Sequence, residues 1–327
     1  PTSHTAHKET SHEIRTRTPP HTPSPRLPCG DRRHPGTDGG QGPFSSELAR
    51  FTPFDPGFRG GVSVAGADVD GNPSTDNIIV GSGPGTESRV TVFSSALPKV
   101  GDTPETFSTF TPYPGSRSGV TLATGTVDIG TGRPSIVTAP GPGEPAQVKT
   151  FRYDLYTPTE AAKARGATDE HSHDPAMTSE FLAYDPSYTG GVSLATGWVA
   201  GAEGGAQSVI TGQLGGDGTV RAWSTGSRLD GGPAMYLHSP EHHSAMTEFA
   251  QIASFAPFPG GTAGVRVATS STTTGADLIV SGMGPGGSHV RKYALARADP
   301  AARTVAPTLV TTLPPVPAGA PAPVAGR

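Results

Sequence analysis

The sequence predicts an all-β fold, a β-propeller of four-stranded blades, from three observations. The stretch from Gly61 to Phe93, GVSVAGADVDGNPSTDNIIVGSGPGTESRVTVF, recurs three more times along the chain. Within the copies apolar residues alternate with small or polar ones, the period of a half-buried strand, and no segment has helical spacing. The 327 residues include 45 Gly and 35 Pro, a share that signals low complexity unless, as here, it punctuates many short strands.

Each copy opens on a Gly-Val pair: Gly61-Val62, Gly119-Val120, Gly191-Val192 and Gly264-Val265. Val62 and Val64, Val120 and Leu122, Val192 and Leu194, and Val265 and Val267 fall on one face of a first strand. A second apolar run enters a Gly-rich turn: IIVGSGPG from Ile78, SIVTAPGPG from Ser135, SVITGQLGG from Ser208 and LIVSGMGPG from Leu278. A third segment closes on Val-x-x-aromatic: Val90/Phe93, Val148/Phe151, Val220/Trp223 and Val290/Tyr293. The step from opening Val to closing aromatic is identical in the first three copies and shorter in the fourth. A Phe-x-x-aromatic stands ahead of each copy, at Phe51/Phe54, Phe110/Tyr113, Phe181/Tyr184 and Phe255/Phe258. The repeats therefore lie near 51–93, 110–151, 181–223 and 255–293, four segments apiece, and four strands repeated radially make propeller blades.

The residues F-T-P-F, G-G-V-S-V-A-G-A-D-V-D-G-N and I-I-V-G-S-G-P-G of the first copy resemble the FG-GAP (VCBS-type, integrin-alpha-like) propeller repeat of secreted and surface proteins. The resemblance covers about residues 46–313. It implies an extracellular or cell-surface location, and a scaffold that serves adhesion, lectin, structural and enzyme roles alike. Four repeats fit a four-bladed ring. The resembling family more often builds seven blades, so an incomplete ring that pairs with another copy fits as well.

The first-to-second turn of the first copy reads Asp68-Val69-Asp70-Gly71-Asn72-Pro73-Ser74-Thr75-Asp76. Oxygen donors at alternate positions, a Gly in the bend and a terminal carboxylate suit a hard cation such as Ca²⁺. The resemblance implies calcium-ligand roles for Asp68, Asp70, Asn72 and Asp76, with a carbonyl near Ser74. An Asx-rich β-turn without metal explains the same residues. The corresponding turns keep only Asp128, Glu203 and Asp277, which is too little carboxylate for calcium.

Residues 1–45 form an arm of Pro, Thr, Ser, His and Arg with almost nothing apolar to bury, expected to lack structure of its own unless a neighbouring subunit orders it. SELARFTPF, ahead of the first copy, reads as a strand that closes a ring from the N-terminal side. Two insertions, Leu155–Glu180 and Ser224–Ser254, follow the second and third closing aromatics. A short helix is expected from Thr157 in the first of them. Both carry histidines, with His171, His173 and Asp174 in one and His242 and His243 in the other, beside His238 and Glu241. The alternation of strands puts both insertions on the same side as the Asp68 turn, where they could hold Zn²⁺ or Cu²⁺ or be solvated loop histidines. Thr308–Leu313 is a candidate last strand of the fourth blade. Residues 314–327 are a Pro/Ala-rich tail, expected to be extended.

A net charge of −4 argues against a nucleic-acid surface, and no apolar run is long enough for a membrane span. The single cysteine, Cys29, excludes an intrachain disulfide. The start at Pro1 without Met suggests a processed or truncated chain. No nucleophile-elbow, HExxH, Walker or dinucleotide fingerprint is present, which leans against an enzyme. Together with the FG-GAP-like repeat and the Pro-rich arms this points to a non-catalytic structural, adhesive or self-assembling role steadied by calcium. The expected partners are copies of itself or an extracellular protein or glycan. The alternatives are a lectin using Trp198, Trp223 or Tyr188, and a metal-dependent enzyme built on the histidine loops.

Overall fold

The computed structural model describes residues 50–72, 75–94, 104–128, 133–153, 174–199, 206–225, 237–238, 245–246, 248–260, 263–272, 275–283, 288–297 and 304–316. Every regular element among them is a strand. The first sheet holds β1 (Val62–Ala67), β2 (Asn77–Ser82), β3 (Val90–Phe93) and β4 (Thr106–Phe110). The second holds β5 (Val120–Gly125), β6 (Ser135–Pro140), β7 (Gln147–Arg152) and β8 (Ala176–Leu182). The third holds β9 (Val192–Gly197), β10 (Ser208–Gln213), β11 (Val220–Ser224) and β14 (Ala250–Phe255). A two-residue pair, β12 (Leu237–His238) with β13 (Ala245–Met246), lies in the insertion between β11 and β14. The fourth holds β15 (Val265–Thr272), β16 (Gly275–Gly282), β17 (Ser288–Arg297) and β18 (Val305–Val316). All four are antiparallel and pair in the order of the chain.

The Phe-led segments divide their allegiance between two sheets. Their backbone is the last strand of the preceding sheet: Phe110 pairs with Val90, Phe181 with Val148 and Phe255 with Val220. Their rings reach forward. Phe110 stacks on Phe151 at 4.8 Å, Phe181 on Trp223 at 4.7 Å and Phe255 on Tyr293 at 5.0 Å, each on the closing aromatic of the next sheet. Phe51 makes the same contact with Phe93 at 4.9 Å, but residues 50–54 form no strand. The last strand of the fourth sheet is instead β18, which contains the expected segment Thr308–Leu313 and continues through Pro314 and Pro315. Prolines are tolerated there because β18 is an edge strand.

Each sheet has a register shift between its third and fourth strands just before the closing aromatic: Val92/Phe93, Thr150/Phe151, Ala222/Trp223 and Lys292/Tyr293. The extra residue lies on the fourth strand, at Phe107, Thr178, Ile252 and Val310, and bends and twists that strand opposite the closing aromatic. All four rings are buried, from 3% exposed for Phe93 to 8% for Trp223.

Alternation gives each sheet two faces, and consecutive sheets pack face to face. One cluster joins Ile79, Val90 and Val92 of the first sheet to Val120, Leu122 and Ile136 of the second. A second joins Val137, Ala139 and Val148 to Val192, Leu194 and Val209. A third joins Ile210, Val220 and Ala222 to Val265, Val267 and Leu278. Four sheets thus share three cores, and among the described residues no cluster joins the fourth sheet to the first. Hydroxyls tie the first strands together along the same joints. Thr124 Oγ1 donates to Gly66 O at 2.8 Å and Thr269 Oγ1 to Thr196 O at 2.6 Å. In the other direction Ser63 Oγ donates to Val120 O at 2.6 Å and Thr121 Oγ1 to Val192 O at 2.8 Å.

Candidate functional site

Up-and-down connectivity sends the first-to-second and third-to-fourth connections to one edge of every sheet and the second-to-third turns to the opposite edge. The Asp68–Asp76 turn and both long insertions share the first of these edges. His171, His173, His242 and His243 lie outside the described residues, as does the segment expected to be helical from Thr157. Asp174 is described and exposed.

The Asp68 turn is built as a chain of short-range bonds. Asp68 Oδ1 accepts from Gly71 N at 2.8 Å, and Asp70 Oδ1 from Asn72 N at 3.0 Å. Asn72 Nδ2 donates to Thr75 Oγ1 at 3.3 Å. Asp70 also points inward, where its Oδ2 accepts from Asn77 Nδ2 at 2.8 Å, and Asn77 Oδ1 accepts from Val69 N and Asp70 N. Asn72 and Asp76 are exposed and Asp68 is half-buried, so three oxygen-bearing side chains line the outer rim while Asp70 also ties the turn to β2. These are the oxygen donors the described part of the turn offers to a hard cation; the carbonyl near Ser74 lies outside the described residues. Among the described residues no three His, Cys, Asp or Glu side chains converge as a metal cluster.

Asp128 occupies in the second sheet the slot that Asp70 occupies in the first, and it is 1% exposed. Its Oδ2 accepts from Ser135 Oγ at 2.8 Å and Thr178 Oγ1 at 2.9 Å, and faces Arg152 at 3.6 Å. The carboxylate therefore joins β6, β7 and β8 at the loop edge. Read from the sequence, Asp128 was a remnant of an acidic turn. Its structural signal is the hydroxyl at the start of the next strand, Ser135 where the first copy has Asn77.

At the opposite edge the linkers hold the joints. Tyr113 and Tyr184 are buried; Tyr113 donates to Gln147 O at 2.8 Å and Tyr184 to Thr219 O at 2.9 Å. Burial pushes both phenols up from their ordinary range, so they stay neutral donors. A cation lies over each linker ring: Lys149 on Tyr113 at 5.1 Å, Arg221 on Tyr184 at 5.0 Å and Arg291 on Phe258 at 4.7 Å. Each cation also donates to a linker carbonyl: Lys149 Nζ to Pro112 O at 3.1 Å, Arg221 to Ala183 O at 2.9 Å and Arg291 to Pro257 O. The signal was in phase in the sequence, since the residue after the Val of each Val-x-x-aromatic is Lys149, Arg221 or Arg291. The first copy has Thr91 there, and Phe54 meets Phe58 instead.

A cavity of about 320 Å³ opens beside this latch, lined by Tyr113, Glu144, Gln147 and Leu182 among others. Tyr113 is buried, which leaves no open ring there for a sugar to stack on. Of the aromatics considered for glycan contact, Trp223 is buried and donates to Thr211 Oγ1 at 3.1 Å. Tyr188 is half-buried and donates to Gly191 O at 2.8 Å, and Trp198 is 39% exposed.

The largest departures from burial lie at the ends of the row of sheets. Val62 is 50% exposed and Val64 61%, whereas Val120, Leu122, Val192, Leu194, Val265 and Val267 at the same positions are all buried. No helix among the described residues is long and apolar enough to cross a membrane. No family model, curated protein or solved structure matches the chain.

Proposed function

We propose that the chain is a non-catalytic FG-GAP-like propeller of the secreted or cell-surface kind, with a structural, adhesive or self-assembling role, steadied by calcium at the Asp68–Asp76 turn. The observation that carries this reading is the pair Val62 and Val64, large apolar side chains presented to solvent on a first strand whose three counterparts are buried. A rigid sheet face with exposed valines is suited to binding another protein surface, not to proton or group transfer. The row of packed four-stranded sheets supports a propeller plan, in which such a face is covered by a further blade.

Two measurements on the purified full chain test the reading. A glycan array is expected to retain nothing, because of the three candidate aromatics Trp223 is buried, Tyr188 is half-buried and hydrogen-bonded, and Trp198 stands exposed by itself. A specific glycan signal would transfer the function to the lectin alternative. Calcium at about 100 times its Kd is expected to stabilise the fold by about 2.7 kcal/mol, a rise in Tm of roughly 5 °C or more for a chain of this size. The rise should vanish in Asp68→Ala. A melting curve indifferent to calcium would leave the Asx turn as the whole account of that loop.

A further inference from the structure

We infer that the solvent-facing face of the first sheet is a docking surface for the fourth sheet of a second copy of the chain, a head-to-tail joint of the same kind as the three internal ones. The inference rests on the self-assembling form of the reading above and supplies its partner.

The internal joints define what a joint needs. On the receiving side, the first-strand pair Val120/Leu122, Val192/Leu194 or Val265/Val267 is buried at 9% exposure or less. On the delivering side, the middle of the second strand is buried completely, with Ile79, Val137 and Ile210 each at 0%. The two sides meet in one core: Ile79 with Leu122, Val137 with Leu194, Ile210 with Val267. Among these positions the exceptions fall one at each end of the row. Among the described residues, Val62 and Val64 are the receiving pair with no delivering sheet packed on them, and Ile279, half-buried, is the delivering residue with no receiving sheet ahead of it.

The aromatic linkers agree. Each internal joint uses one Phe-led segment, delivered with the preceding sheet. Leu313 pairs with Val290 where Phe110, Phe181 and Phe255 pair with Val90, Val148 and Val220, so β18 brings no ring at that position, while the first sheet already carries Phe51 on Phe93. A tail meeting a head therefore assembles a complete set, one Phe-led segment per joint. Gly61 makes the same point from the backbone. A Cβ at Gly119, Gly191 or Gly264 would run into the second-to-third turn of the preceding sheet, but a Cβ at Gly61 would meet nothing within 4 Å.

Two features make the joint weaker than the internal ones. Arg266 stands where Ser63, Thr121 and Ser193 donate across the joint, and Gly66 stands where Thr124, Thr196 and Thr269 do. The ion pair of Lys292 with Asp277 at 2.6 Å also borders Ile279 on the delivering face. A half-polar face that loses its lateral hydroxyl bonds gives reversible, concentration-dependent association. A heterologous contact of this kind closes into a ring or continues as a filament.

The test is sedimentation of the full chain across a wide concentration range. The 33.2 kDa chain is expected to shift towards twice that mass or more as concentration rises. Val64→Asp, at an exposed position, should abolish the shift with a melting curve close to the parent's, and Ile279→Asp, at a half-buried one, should abolish it while a cooperative melt shows that the chain still folds. Mixed together they should associate again, since one keeps an intact tail and the other an intact head. Leu309→Asp, at an exposed apolar site on β18, should leave association unchanged. Failure of the mixture to recover, or association that survives Val64→Asp, would overturn the head-to-tail joint. So would a single-chain mass at every concentration, and none of these results touches the glycan and calcium tests of the broader reading.

Discussion

Asp128→Ala is expected to cost about 3–5 kcal/mol, the usual loss when one partner of a buried charged network is removed. The carboxylate is 1% exposed, and its Oδ2 gathers Ser135, Thr178 and Arg152 from three strands. Alanine would leave two buried hydroxyls without that acceptor and the Arg152 guanidinium without its carboxylate. Asp128→Asn should lose less, because an amide oxygen still accepts a hydrogen bond while the charge facing Arg152 is gone. Asp68→Ala offers the contrast, since its carboxylate caps a turn at the rim, and should cost about 0.5–1 kcal/mol without calcium. Denaturant melts of the three variants measure this order. Equal losses for Asp128→Ala and Asp68→Ala would contradict the assignment of Asp128 as a buried hub.

Gly264→Ala should be the most damaging of the Gly-Val glycine substitutions beside Gly61→Ala. Both residues have positive φ, +80° and +76°, so either alanine bears the left-handed strain of about 1 kcal/mol. At Gly264 the new methyl would also overlap the backbone of Leu214 and Gly215 in the preceding sheet. Forcing that joint apart adds about 1–3 kcal/mol, the range for overpacking. The expected difference between the two variants is therefore about 2 kcal/mol, read from their denaturation midpoints. Equal losses would mean that a turn of some other sheet already sits against Gly61.

The strands, their phase and the turns could be read directly, because apolar alternation and Gly-rich breaks are local properties. Val62/Val64 and their counterparts fell on one face, as alternation required. The allegiance of the Phe-led segments could not be read the same way. Phe110 is close in sequence to both sheets, and only strand pairing shows that its backbone serves β3 while its ring serves Phe151. SELARFTPF read as a closing strand because it shares the Phe-x-x-Phe pattern, but among its described residues that pattern acts through the rings alone. The bulge opposite each closing aromatic has no compositional mark, since the extra residues Phe107, Thr178, Ile252 and Val310 are ordinary strand formers. Asp128 was misleading for a different reason. A lone carboxylate in that turn says only that calcium is not held there, while its hub role depends on Thr178, fifty residues away in the chain.

Among the described residues the four sheets pack as a row with three joints, and the head-to-tail joint requires that its two ends do not close into a ring within one chain. A short bifunctional thiol reagent tests it on the variant carrying Val64→Cys and Ile279→Cys, with Cys29→Ser removing the one native thiol. Packed sheets lie about 10 Å apart, within reach of such a reagent when the two positions face each other. Cross-linked dimers and higher species on a denaturing gel, lost on dilution before reaction, are the predicted result. Efficient cross-linking within single chains, independent of dilution, would place the fourth sheet against the first and contradict the open row.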